Sequence, residues 1–125
     1  MNKKLQIYHD NDIETKVMGA SPVDLIIMLY DGVQTSINKA KFAIDTSNNN
    51  LRINEVNKAV RIINEGLMSN LDFNKGGEIS ENLSLLYQYI INTLLNGSIE
   101  KSKAKLDEAS SLVDSLKSAW TQIKT

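Results

Sequence analysis

The sequence predicts an all-α protein, an antiparallel four-helix bundle, on three observations. Apolar residues recur at spacings of three and four over four separate stretches, the period of one buried helical face. Short runs rich in Asn, Asp, Ser and Gly separate those stretches. No segment alternates apolar and polar residues as a half-buried strand does. Helices joined by such short connections pack antiparallel to their neighbours most easily. The expected division is an N-terminal arm, residues 1–20, docking on a bundle of residues 21–125.

The first helix starts at Ser21, with Pro22 at the first helical position and Asp24 one turn in. Ile26, Leu29, Tyr30, Val33, Ile37, Ala40 and Ile44 form its core stripe, which stops at "DTSNNN", Asp45 to Asn50. A second helix is expected from about Leu51 to Leu71, with Ile53, Val56, Val60, Ile63, Leu67 and Leu71 on one side, before "DFNKGGE" breaks it. The third begins between Gly77 and Ser80 and buries Ile79, Leu83, Leu86, Tyr87, Ile90 and Leu94. Gly97 suits the left-handed position that ends a helix, and Ser98 can cap a fourth helix at once. That helix carries Ile99, Leu106, Ala109, Val113, Leu116, Trp120 and Ile123 in register. Leu5, Ile7, Tyr8, Ile13, Val17 and Met18 are too many apolar side chains for a solvated tail and too irregular for a regular helix. They read as an arm that docks on the bundle and caps a groove.

Composition excludes several classes of function. The chain of 125 residues is long enough for one domain with a real core. With 14 Lys+Arg against 15 Asp+Glu it lacks the basic footprint of a nucleic-acid or membrane-surface binder. It has no cysteine, hence no disulfide scaffold or thiolate metal site, which fits a cytoplasmic setting. The N-terminus has no apolar run of the secretory type. The longest apolar run, the six residues Leu25 to Tyr30, falls far short of the roughly 20 that a membrane span needs.

That six-residue run leaves a surplus. With Ile26 at the centre of the stripe, Leu29, Tyr30, Val33 and Ile37 fall within roughly 60° of it at about 100° per residue. Leu25 and Ile27 lie to either side, Met28 lies almost opposite, and Gly32 stands between Met28 and Leu25. The second helix places Ile62 behind its stripe with Ala59 and Gly66 beside it, and the third places Leu85 and Tyr89 on its rear. The fourth is polar behind its stripe, with Leu112 at the border. One reading makes these residues core, because bundle helices bury wide faces. The other makes Leu25, Met28, Gly32, Ala59, Ile62, Gly66, Met68, Leu85 and Tyr89 a groove for an amphipathic partner helix, with Met28 and Met68 adapting to its shape.

No residues point to catalysis, a metal or a cofactor. His9 is the only histidine and sits in the arm; the inward Glu-x-x-His pairs of a di-iron bundle are absent. "NKGGEIS", Asn74 to Ser80, lacks the spacing and ending of a phosphate loop. A binding protein is expected, not an enzyme.

"ASPVDLIIMLYDG" at Ala20 to Gly32, "IINEGLMSNLDFNKGGEIS" at Ile62 to Ser80, "NLSLLYQYI" at Asn82 to Ile90 and "AW" at Ala119 to Trp120 resemble the FliS family of flagellin export chaperones. The resemblance runs in order over nearly the whole chain, and "YHDNDIETKVMGASP" is similar to the longer arm of some members. It implies a cytoplasmic helical bundle that binds the disordered C-terminal segment of flagellin, prevents premature polymerisation and aids delivery to the flagellar type III export apparatus, without ATP. An export-gate component and an anti-sigma or co-chaperone protein are the further partners to consider. Ser80, Leu85, Gln88 and "NGSIEK" depart from the usual family pattern, which touches client identity more than fold. The alternative from the residues alone is a self-associating helical scaffold or regulatory protein.

Overall fold

The computed structural model describes Gly19 and residues 21–124, and among them it has four α-helices and no strand. Helix α1 spans Pro22–Asp45, α2 Asn49–Arg61, α3 Phe73–Glu100 and α4 Lys103–Lys124. A π-helical turn, Ile62–Leu67, and a 3-10 turn, Met68–Asn70, prolong α2. The arm residues Ile7, Tyr8, Ile13, Val17 and Met18 lie outside the described residues.

The helices form a ring in which α1 packs on α2 and α4, and α3 packs on α4 and α2. Their directions follow from side-chain partners. Along α1, Asp31 pairs with Lys117, Gln34 with Ser110 and Asp114, Lys41 with Asp107 and Asp45 with Lys103, so α4 runs opposite to α1. Arg52 near the start of α2 reaches Ser98 near the end of α3. Across α3 and α4, Tyr89 bonds Glu108.

Ser21 accepts the Asp24 amide at 3.1 Å and Pro22 opens the helix, as expected. The core stripe of α1 closes on Tyr30, Val33, Ile37 and Ala40, fully buried against Val56, Ile63, Ile90, Leu94, Leu106, Ala109 and Val113. Each large aliphatic among them contributes about 1.5–3 kcal/mol by leaving water. At the far end of the bundle both turns use the same geometry. Ser47 (φ 55°) and Lys101 (φ 52°) adopt the left-handed conformation. In each turn the following amide bonds back five residues, Asn48 to the Ala43 carbonyl and Ser102 to the Gly97 carbonyl, both at 2.8 Å.

Several expectations are corrected. Ala59, Ile62 and Gly66 do not face outward: all three are buried, Ala59 and Ile62 fully. The buried face of α2 is centred on Val56, Ala59 and Ile63, not on Ile53 and Val60, and at about 100° per residue Ile62 and Gly66 fall on it. The π turn, with its i→i+5 hydrogen bonds, continues that face. Gly97 does not end α3. It is buried inside the last turn, where a Cβ would stand 3.0 Å from Leu106 Cδ2, so it lets α3 and α4 approach closely. The helix runs on to Glu100, and Ser102, not Ser98, caps α4 through the Lys105 amide. Ile99 therefore belongs to the last turn of α3 and is exposed, as are Ile53, Ile79 and Ile123, which the periodicity placed in the core. The second helix starts at Asn49, capped by the Asn48 side chain. Asp72 caps a first turn of α3, Phe73 to Gly76, before Gly77 (φ 49°, ψ −121°) breaks it, and regular helix resumes within the expected window.

Candidate functional site

The nine groove residues expected from the sequence do not form one surface. Leu25, Met28 and Gly32 are half-buried on the first turns of α1, and Met68 is half-buried against the core. Ala59, Ile62 and Gly66 are interior. Leu85 and Tyr89 are the exposed members, at 65 % and 50 %, on the rear of α3. Since α1 and α3 are diagonal in the ring, the α1 and α3 sets look away from each other.

What Leu85 and Tyr89 belong to is a different surface. Leu95 and Ile99 are also exposed on α3, Ile99 at 78 %, and Ile53 is exposed on the adjoining edge of α2. The Nε of Arg52 lies 3.4 Å from the Ser98 hydroxyl, which sets the antiparallel register. In that register Ile53 stands level with Leu95 and Ile99, and the half-buried Val60 level with Ile91. The result is an apolar track along the α2–α3 seam and the back of α3. Helix α3 is also uncharged from Asn82 to Ile99, although it lies on the surface. Sequence reasoning missed Leu95, Ile99 and Ile53. The absence of charge over that whole stretch was the available signal.

Tyr89 sits at the border of this track, where its hydroxyl donates to the Glu108 carboxylate of α4. That hydrogen bond, and then the negative charge behind it, pushes the phenol above its ordinary range, so Tyr89 stays neutral.

A second apolar feature lies at the end of the bundle where α1 begins. Ile26, Leu71, Ile79, Leu83, Leu116 and Trp120 surround a cleft of about 420 Å³, with Tyr87 at its inner wall. Behind it the Tyr30 and Tyr87 hydroxyls bond at 2.7 Å. Burial, and then the neighbouring phenol, drives the Tyr30 pKa well above the usual tyrosine range, while a hydrogen bond from Trp120 opposes the shift. Burial raises Tyr87 as well. The Ser80 hydroxyl donates to the Asp72 carbonyl at 2.9 Å and holds the rim where α3 starts.

Among the described residues no group of His, Cys, Asp and Glu could hold a metal ion. No described helix is long and apolar enough to cross a membrane. An all-helical bundle whose α3 carries an apolar, uncharged face that no other described element covers fits a class: a module that binds other protein segments.

The family model described as "Flagellar protein FliS" matches residues 4–125, and the chain belongs to that family. It is 35% identical over 119 residues to the flagellar secretion chaperone FliS of Salmonella typhimurium, covering 95% of this chain and 88% of that protein. To the FliS of Escherichia coli it is 30% identical over 120 residues, covering 96% and 88%. To the flagellar secretion chaperone FliSB of Pseudomonas aeruginosa it is 33% identical over 121 residues, covering 97% and 95%.

Proposed function

We propose that this protein is a cytoplasmic, non-enzymatic export chaperone for flagellin. It binds the C-terminal segment of flagellin as an amphipathic helix, keeps the monomer from polymerising and presents it to the flagellar type III export apparatus. The observation that carries the reading is the apolar track of Leu85, Tyr89, Leu95 and Ile99 on an uncharged helix, in a chain of the FliS family. A client that is disordered when free loses conformational entropy on docking. Burial at about 25 cal/mol per Å² over an interface of about 1,600 Å² is large enough to offset that loss. Leu25, Met28, Gly32 and Met68 are half-buried, and in this reading they give the client a second contact, apart from the α3 track.

Residues 1–20 have a role in the same reading. The chain enters α1 beside the end cleft, since Ile26 in the second turn lines it. Ile7, Tyr8, Ile13, Val17 and Met18, which lie outside the described residues, have in this reading the role of covering part of the client groove and moving when the client binds. An export-gate component is the next partner in order, and an anti-sigma or co-chaperone protein is a candidate for a surface the client leaves free.

The experiment is light scattering on the chain alone and mixed with a C-terminal fragment of flagellin. A one-to-one complex, lost in Leu95→Lys while circular dichroism stays helical, supports the proposal. The exposed track also favours a second reading, self-association through the same face. A concentration-dependent dimer that the fragment does not dissociate would select that reading instead.

A further inference from the structure

We infer that the α3 face and the adjoining edge of α2 select a helix whose flanks are polar but uncharged, through side-chain amides in place of ion pairs. The inference rests on the chaperone reading and specifies the chemistry of the client segment.

The exposed positions between the apolar residues of the track are amides. Gln88, Asn92 and Asn96 occupy them on α3, and Asn57 and Asn64 occupy them on the facing edge of α2. Of the charged residues of α2, Arg61 and Glu65 pair with each other at 3.3 Å, and Arg52 is buried in the seam, where Ser98 and Asn49 hold its guanidinium. Charges bracket α3 at Glu81 and Glu100 and are absent between them. The α1–α4 seam is built the opposite way, with Asp31–Lys117, Lys41–Asp107 and Asp45–Lys103 bridging the two helices. Neutrality is thus a property of one face, not of the whole surface.

The physical consequence is selective. A Lys, Arg, Asp or Glu on the near flank of a docked helix would lose water and find no opposite charge that is not already engaged, since Ser98 and Asn49 hold Arg52 and Tyr89 holds Glu108. A carboxamide both donates and accepts, so it pairs with Asn, Gln, Ser or Thr on the client, or with the unsatisfied backbone groups at a helix end. Like-with-unlike discrimination here is a penalty on charged flanks added to an apolar attraction. Because no ion pair is made across the interface, salt has little to screen.

The test titrates the full chain with a C-terminal fragment of flagellin by calorimetry at low and high salt. Between about 50 and about 500 mM NaCl the dissociation constant is expected to change by less than about threefold. Gln88→Lys and Asn92→Lys are each expected to weaken binding by about tenfold or more, because the new charge is desolvated unpaired. Lys39→Gln, on the exposed outer side of α1, leaves affinity unchanged. Binding that weakens by more than about tenfold over the salt range, or that survives Asn92→Lys intact, overturns the inference and leaves the chaperone reading standing. No binding at either salt overturns the chaperone reading and the inference with it. The salt series on the unaltered chain decides even where a variant fails to fold.

Discussion

The hydroxyls of Tyr30 and Tyr87 meet at 2.7 Å inside the bundle and join the diagonal helices α1 and α3 across the core. Tyr30 is fully buried and Tyr87 nearly so. Removing one hydroxyl leaves the other with a lost partner in a buried site. Tyr30→Phe and Tyr87→Phe are each expected to cost about 1–3 kcal/mol in urea unfolding, and the double variant less than their sum.

The same pair sets a pH dependence. Both phenols ionise at higher pH in the folded protein than the ordinary value of 10.0. The folded state therefore holds its protons where the unfolded chain begins to release them. The contribution is complete below the unfolded value and is lost as pH rises through the folded one. Unfolding free energy should not change on account of these groups from neutral pH to about 9, and should fall above about 10. The Tyr30→Phe/Tyr87→Phe variant should show a shallower alkaline fall, followed by denaturant titration at each pH.

Lysine substitutions separate core from surface. Ile62 is fully buried, so Ile62→Lys forces a charge into the α1–α2 interface and should unfold the bundle or cost several kcal/mol. Leu85→Lys, at a position 65 % exposed, should change stability by no more than about 0.5 kcal/mol. Thermal melts of the two variants give the comparison directly.

Backbone substitutions at the turns should act in opposite directions. Gly77 has a conformation that residues with a Cβ rarely adopt, so Gly77→Ala should destabilise by about 1–3 kcal/mol. Ser47 and Lys101 are left-handed without being glycine, so Ser47→Gly and Lys101→Gly should each stabilise by about 0.5–1 kcal/mol. Since the two turns share no hydrogen bond, their effects should add within about 0.5 kcal/mol in chemical denaturation.

Where the sequence repeats one regular geometry, the structure follows it. The Ser21-Pro22-Asp24 start and the Tyr30, Val33, Ile37, Ala40 stripe are set by local hydrogen bonding and helical period alone. Ile62 was not legible because the apolar Ile53 and Val60, one exposed and one half-buried, draw the stripe of α2 away from the side that Val56, Ala59 and Ile63 bury. Gly97 was misleading for a different reason. Glycine serves both helix ends and close helix crossings, and only the position of Leu106 tells which. The boundary error carried Ile99 from a surface helix end into an imagined core. The surface track was legible in part. Leu85 and Tyr89 follow from projection, whereas Leu95, Ile99 and Ile53 needed the true end of α3 and the register set by Arg52 and Ser98.

The central claim is that the uncharged face of α3 is where the client docks. A backbone and side-chain NMR titration of the full chain with a C-terminal flagellin fragment tests it most directly. The largest shifts are expected on Leu85, Tyr89, Leu95, Ile99 and Ile53. Shifts confined to Lys39, Phe42 and the ion-paired seam between α1 and α4, with α3 unmoved, would contradict it.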